Sequence, residues 1–309
     1  MSENEFSLIE RCFKGRGGRN STFTTLAIGD DASIHQPRSG FELVVSTDTS
    51  VENVHWPDDL SSIIAADRAV CSALSDLAAM GAEAVAVWIN VMARDEQSLR
   101  DMADGVSHAL KRYDVELVGG DTCRAGVNAL AVTVAGEVPQ ATAMRRDAAK
   151  ATDSIWLVGK LGYHTLGLQQ WFSGEIDGAY VSSMQEIKPL LSSGIKLREM
   201  GVACCIDVSD GLLQDAGHLA ENSKVGFDIE VTQVPDWSEM CESVGVDQFF
   251  DAVLHGGEDY ALLFTAPADL NFPQELAVKI GNCREGEGVN LYRNGELCDV
   301  EKRGFLHFG

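Results

Sequence analysis

The chain has 309 residues, 45% of them hydrophobic, enough to bury a sizeable core and to divide into two domains. Its 47 acidic against 24 basic side chains give a formal net charge of −23, which argues against binding a nucleic-acid backbone by bulk electrostatics. No apolar run reaches the ~20 residues of a membrane span, the N-terminus lacks the basic and apolar regions of a secretory signal, and the eight cysteines form no C-x-x-C pair. The expectation is therefore a cytoplasmic protein with reduced thiols and neither a membrane nor a nucleic-acid partner.

In chain order, the first notable stretch is AIGDDASI (27–34), where Asp30 and Asp31 stand side by side. Adjacent carboxylates need a cation or a shared proton if they are buried; Gly-Asp-Asp also makes an ordinary turn. Phe41 to Asp48 alternates as a strand that ends at Asp48. Ser61 to Met80 is apolar at helical spacing, with Gly81 placed to stop it. Asp76 sits in the last turns of that helix, opposed by the helix dipole, so it needs a cationic partner. Ala84 to Ala93 reads as a strand buried on both faces. Leu99, Met102, Val106, Leu110 and Tyr113 mark an amphipathic helix. Short strands follow at Val115 to Val118 and Ala129 to Val138, with Asp121 just after the first.

Residues 139–153 are polar and strandless and read as the crossing between domains 1–138 and 139–309. Ser154 to Gly159 opens a second half with α/β character. There Asp207 ends a strand and Asp210 starts a helix that follows Ser209, strands lie near Phe227 to Val231 and Tyr260 to Thr265, and Asn294-Gly295 marks a hairpin turn.

Asp30, Asp31, Asp48, Asp76, Asp121, Asp207 and Asp210 thus cluster at predicted element ends, where α/β proteins build their sites. Capping and turn-making explain some of them singly. Together, with no His-Cys set at zinc spacing, they suit hard, oxygen-loving cations such as Mg²⁺. Gly119-Gly120-Asp121 and Gly256-Gly257-Glu258-Asp259 let backbone amides approach an anion, and the helix after Ser209 offers N–H groups to a phosphate. The Walker pattern is absent. Lys14 to Arg19 (KGRGGR) is either a flexible linker or a flap whose Arg16 and Arg19 close over phosphates. His55-Trp56 is either a surface loop or the lining of a pocket for an aromatic, cationic ligand beside Glu258.

The stretches EFSLIERCF, IGDDAS, STDTSVENVHW, LSDLAAMGA, VGGDT, IDVSDGL and HGGEDYALLFT, in this order, resemble the thiamine-monophosphate kinase family, within the aminoimidazole ribonucleotide synthetase-like superfamily. The resemblance implies an α+β and α/β two-domain fold: an N-terminal small mixed sheet with helices that pairs in a homodimer, a C-terminal α/β domain, and a nucleotide in the cleft between them. It implies ATP as co-substrate and several Mg²⁺ ions held by Asp30, Asp48, Asp76, Asp121, Asp207 and Asp210 with Thr47. Asp121, Asp207 and Asp210 would act closest to the chemistry, Gly120, Asp121, Ser209, Arg146 and Tyr113 would contact the nucleotide, and His55, Glu258 and Phe305 the thiamine phosphate. The family's usual Gly-Asp-Ser after the first C-terminal strand reads Gly162-Tyr163-His164 here, and its Pro-x-Pro-Arg reads Ile187-Lys188-Pro189-Leu190.

A phosphate monoester acceptor, with a second pKa of ~6, is already a nucleophilic dianion near neutral pH and needs no general base. The work left to the protein is positioning and charge neutralisation, so the carboxylates are expected to act through metal ions. Two other readings stay open: a selenophosphate synthetase-like enzyme, whose reactive N-terminal Cys motif is not visible around Cys12, and a non-catalytic nucleotide- or metal-binding homologue.

Overall fold

The computed structural model describes residues 10–15, 17 and 22–300. Two compact units are distinguished. The first takes the described residues up to Leu77 and then Ala82–Ala141; the second takes Ala78–Gly81 and the described residues from Thr142 onward.

The first unit runs β1 (Thr24–Leu26), β2 (Ile34–His35), β3 (Phe41–Val51), α1 (Ser62–Ala79, to Leu77 in this unit), β4 (Glu83–Ala93), α2 (Glu96–Tyr113), β5 (Glu116–Arg124) and β6 (Ala129–Pro139). Strands β1 and β2 form a small antiparallel pair, and the main sheet has the order β3-β6-β4-β5. Only β4 and β5 are parallel, joined through α2 as a crossover requires. Asp95 caps α2 by accepting the Ser98 N–H at 2.8 Å, and Lys111 and Arg112 lie in its last turn, where cations oppose the negative end of the dipole. From Ala65 to Ala79 every residue of α1 is buried except Asp76, which is half-buried.

Several strand ends differ from expectation. β3 does not stop at Asp48, because β6 pairs with it without interruption from Phe41–Pro139 to Val51–Ala129. Asp121 lies inside β5 rather than after a strand: Gly119, Gly120 and Asp121 pair with Trp88, Ile89 and Asn90. The register skips Val118, the extra residue of a bulge, which re-aims the side chains that follow. Gly120 has φ +145, and a Cβ there would sit 1.9 Å from the Ile89 carbonyl oxygen, so only glycine continues this strand. β4 is buried on both faces only at Val85, Ala86 and Val87; beyond them Asn90 is exposed and Trp88 and Met92 are half-buried.

The second unit runs β7 (Asp153–Val158), α3 (Tyr163–Phe172), α4 (Val181–Gln185), α5 (Leu191–Glu199), β8 (Cys204–Val208), α6 (Leu212–Ser223), β9 (Gly226–Glu230), α7 (Trp237–Val244), α8 (Val246–His255), β10 (Ala261–Pro267), β11 (Val278–Arg284), β12 (Val289–Arg293) and β13 (Glu296–Leu297). Its sheet has the order β13-β12-β9-β11-β7-β10-β8, and β9 with β12 is the one parallel pair. The sheet is therefore mostly antiparallel, with helices packed on it. Period-two alternation buries both faces. Ile155, Leu157, Ile206, Leu263 and Phe227 pack with Leu212, Leu219 and Phe249 on one side, while Trp156, Val158, Cys205, Leu262 and Phe264 pack with Leu197 and Phe272 on the other. Asn294 and Gly295 make the expected hairpin turn with φ of +55 and +80, and their N–H groups are received by the Glu230 carboxylate.

Candidate active site

In the first unit a cavity of about 330 Å³ gathers the two glycine-aspartate motifs. Gly29, Asp30 and Asp31 from the turn before β2 and Gly119, Gly120 and Asp121 from β5 line it, with Trp88 and Leu117 as apolar wall. Trp88 is fixed by an Nε1–H bond to Ser33 Oγ at 3.0 Å. Asp30 and Asp121 are exposed, and each accepts the next residue's N–H at 2.8 Å through one oxygen. A short loop and an extended glycine strand therefore bring distant carboxylates to one cavity.

A second acidic pair stands where β3 meets α1. Ser72 Oγ donates to Asp48 at 2.8 Å, and Ser46 Oγ donates to Asp76 at 2.5 Å. Ser46 and Asp48 share one face of the strand, Ser72 and Asp76 one face of the helix, so the two carboxylates confront each other through hydroxyls. Thr47 points to the opposite face, where its hydroxyl meets Thr133 Oγ1 at 3.1 Å. His55 closes the turn after β3: its Nδ1 accepts the Val51 N–H at 3.1 Å, while Trp56 is buried. Tyr113, the last residue of α2, is half-buried; burial, with Cys71 adding to it, pushes its phenol up to about 12. His55, Tyr113 and Arg146 line neither of the two cavities described here.

In the second unit the stretch Asp207-Val208-Ser209-Asp210-Gly211 leads from β8 into α6. The helix begins at Leu212, later than expected, and the N–H groups of Ser209 and Asp210 are both taken by Asp215 Oδ2 at 3.0 Å. Asp215 was absent from the sequence expectations. It is 2% exposed, and burial, reinforced by the charges of Asp210 and Asp207, pushes its carboxyl up to about 7. The signal was legible: Leu212, Asp215, Ala216 and Leu219 fall on one helical stripe, and an acid on an apolar stripe needs local donors.

The Gly256-Gly257-Glu258-Asp259 loop docks on this turn backbone to backbone. The Glu258 N–H donates to Ser209 O at 2.8 Å, and a Cβ on Gly257 would lie 2.5 Å from that same oxygen. Glu258 and Tyr260 hold left-handed φ of +62 and +52, a conformation that costs a non-glycine residue about 1 kcal/mol or more. Asp259 receives the Gly162 N–H at 2.6 Å and the His164 N–H at 3.1 Å, and burial pushes its carboxyl up to about 7. Glu258 lines a cavity of about 430 Å³ together with Lys160, Tyr163, His164 and Lys188. Phe305, Arg16 and Arg19 lie outside the described residues.

Among the described residues no three His, Cys, Asp or Glu side chains group closely enough to hold a metal ion by themselves. The carboxylates stand singly and in pairs, all hard oxygen donors. That set fits Mg²⁺, which takes one or two carboxylates and completes its shell with water and substrate phosphates; it does not fit an ion caged by protein alone.

Comparison with known proteins agrees with this architecture. Residues 29–138 match the family described as AIR synthase related protein, N-terminal domain. The thiamine-monophosphate kinase of Haemophilus influenzae is 33% identical over 326 aligned residues, covering 100% of this chain and 99% of that protein. The crystal structure of the thiamine-monophosphate kinase from Stenotrophomonas maltophilia superposes with a TM-score of 0.83 at 32% identity, covering 96% of this chain and 99% of that one. AaThiL complexed with AMPPCP and TMP gives a TM-score of 0.79 at 27% identity, covering 91% and 92%. With such identity sustained along its whole length, the chain belongs to the thiamine-monophosphate kinase family.

Proposed function

We propose that this protein transfers the γ-phosphoryl group of ATP to thiamine monophosphate, giving thiamine diphosphate and ADP. The observation that carries the reading is full-length family membership joined to intact acidic and glycine motifs, with Gly120, Asp121 and Asp30 gathered at one cavity. A relative that holds AMPPCP and TMP together supports a site for both substrates.

Gly120, Asp121, Ser209, Arg146 and Tyr113 serve the nucleotide, and His55, Glu258 and Phe305 serve the acceptor. Asp30, Asp48, Asp76, Asp121, Asp207 and Asp210, with Thr47, would hold Mg²⁺, which when bound would neutralise the charge of the two phosphate chains. The acceptor phosphate is itself the nucleophile, so no side chain has to remove a proton. Asp215 supports this assignment indirectly: by receiving the Ser209 and Asp210 N–H groups it fixes the turn that presents the Asp210 carboxylate.

The protein acts as a homodimer. Leu43 and Val45, 47% and 56% exposed on the edge strand β3, offer the apolar face such pairing needs. No described helix is long and apolar enough to cross a membrane, and a cytoplasmic location fits the eight free cysteines.

The deciding assay is incubation with ATP, Mg²⁺ and thiamine monophosphate, following thiamine diphosphate and ADP, with free thiamine and selenide as control acceptors. Product formed only from thiamine monophosphate supports the proposal; turnover of selenide alone, or of none, overturns it.

A further inference from the structure

The 430 Å³ cavity of the second unit contains a pair that the phosphoryl transfer itself does not use. His164 Nε2 lies 2.9 Å from Glu258 Oε2, with the histidine side chain 6% and the glutamate side chain 27% exposed. Both partners are anchored at their backbones. The Glu258 N–H is held by Ser209 O, and the His164 N–H is held by Asp259 Oδ1, so Asp259 fixes the start of α3 against the very loop that carries Glu258. The freedom that remains is rotation about the three side-chain torsions of Glu258, and the His164 contact is placed to restrict it.

The other charges of this cavity are matched. Lys160 Nζ lies 2.6 Å from Asp236 Oδ2, which also receives the Tyr163 hydroxyl at 2.7 Å, and Lys188 Nζ lies 3.3 Å from Glu186 Oε2. Asp259 is turned to the Gly162 and His164 N–H groups, with its carboxyl pushed up to about 7 by burial, so the carboxylate this loop presents to the cavity is that of Glu258. Lys160 Nζ already stands 4.9 Å from the Tyr163 ring centroid, so it is the Glu258 carboxylate, not the tyrosine face, that a cationic ring would meet here.

We infer that His164 is a positioning residue: it holds the Glu258 carboxylate in the rotamer that receives the cationic ring of the acceptor, and so sets acceptor affinity without entering the transfer. The inference rests on the proposed use of thiamine monophosphate. An unrestrained glutamate would have to be ordered each time acceptor binds, and that cost falls on acceptor binding alone.

Three variants test it by steady-state kinetics, with melting temperature as a check on folding. His164→Phe keeps a ring of similar size and removes the nitrogen; its KM for thiamine monophosphate should rise about tenfold, while kcat and the KM for ATP stay within about twofold. His164→Gln restores an N–H donor and should return the acceptor KM to within about threefold of the wild type. Glu258→Asp, at a partly exposed position, keeps the charge but withdraws it from the histidine, and should raise the acceptor KM as His164→Phe does; because it also withdraws the charge from the acceptor, His164→Leu takes the place of the phenylalanine variant if that does not fold. An unchanged acceptor KM in the folded His164→Phe or in Glu258→Asp, or an ATP KM that rises in parallel, overturns the inference while leaving the kinase reading intact. A wild-type protein that neither binds nor phosphorylates thiamine monophosphate removes both.

Discussion

In the first unit Asp30, Asp48 and Asp121 each accept the N–H of the following residue at 2.8 Å, and each is exposed or half-buried. In the second unit Asp215 and Asp259 each receive two backbone N–H groups from residues that precede them, and burial pushes both carboxyls up to about 7. The residue type is the same and its use is opposite. A carboxylate near water retains its charge and can offer it to a cation, whereas a buried one serves as an acceptor that ties loops together. Function should therefore follow charge at the first kind and at Asp210, and loop geometry at the second.

The largest expected effect is at Asp210. Asparagine keeps the size and an acceptor for the Gln214 amide, which donates to Asp210 at 2.9 Å. Asp210→Asn should leave the melting temperature nearly unchanged while kcat falls on the order of 100-fold or more. Near-normal turnover at saturating Mg²⁺ would place Asp210 with the structural aspartates and break the comparison.

Close behind is the backbone that presents Asp121. Gly120→Ala puts a Cβ 1.9 Å from the Ile89 carbonyl at a positive φ, and should cost about 3 kcal/mol or more by urea denaturation. Gly126→Ala, with nothing within 4 Å, is the control and should stay within about 0.5 kcal/mol. Equal costs would mean that β5 does not depend on this close approach.

The exposed acids should also make metal and nucleotide stabilise the protein jointly. At 100-fold excess over its dissociation constant, a ligand adds about 2.7 kcal/mol, and Mg²⁺ gains little from isolated carboxylate pairs without phosphates. Melting temperatures with EDTA, Mg²⁺, ATP, and both, at fixed ionic strength, should show a combined shift exceeding the sum of the single ones. Simple additivity would separate the acids from the phosphate site, and fixed salt excludes mere screening of a −23 chain.

A smaller change is expected for Glu258→Gln, about tenfold in the KM for thiamine monophosphate with little effect on ATP, the equivalent of about 1.4 kcal/mol. Equal losses for both substrates would point to a disturbed loop instead of a lost charge.

The smallest effect sharpens the other half of the comparison. Asp259 in the folded protein holds its proton to about pH 7, while the unfolded chain releases it near the ordinary value of 3.8. The folded state thus binds more protons between these limits, and stability falls as pH rises from about 4 to 7. The expected loss across this window is on the order of 1 kcal/mol. Asp259→Asn should lack this slope, so denaturation of both proteins from pH 4 to 8 should give converging curves with the variant gaining. Parallel curves would show Asp259 ionised throughout.

Most of the element order was legible because its signals are local. The Leu99 to Tyr113 stripe, the Ser61 to Met80 run and the Asn294-Gly295 turn depend on periodicity and on residues that tolerate particular φ values. Strand ends were not, because pairing partners set them: β3 passes Asp48 because β6 faces it as far as Val51, and β5 continues through Gly119-Gly120 because β4 lies alongside.

The acidic motifs, the glycines and the net charge were determined by the sequence alone, since they are properties of residue type and order, and they pointed to a phosphate-handling, cation-assisted site. The apolar stripe on which Asp215 falls is visible in the sequence, but which donors each carboxylate meets was decided only by the folded structure. Asp215 and Asp210 are five residues apart and chemically identical in sequence. One turn of backbone sends the first into an apolar stripe beside two N–H groups and leaves the second half-buried at the helix entrance. The donors to Asp215 are local, whereas those to Asp259 come from Gly162 and His164, 97 and 95 residues away, and such packing settles whether an aspartate acts as a charge or as a brace.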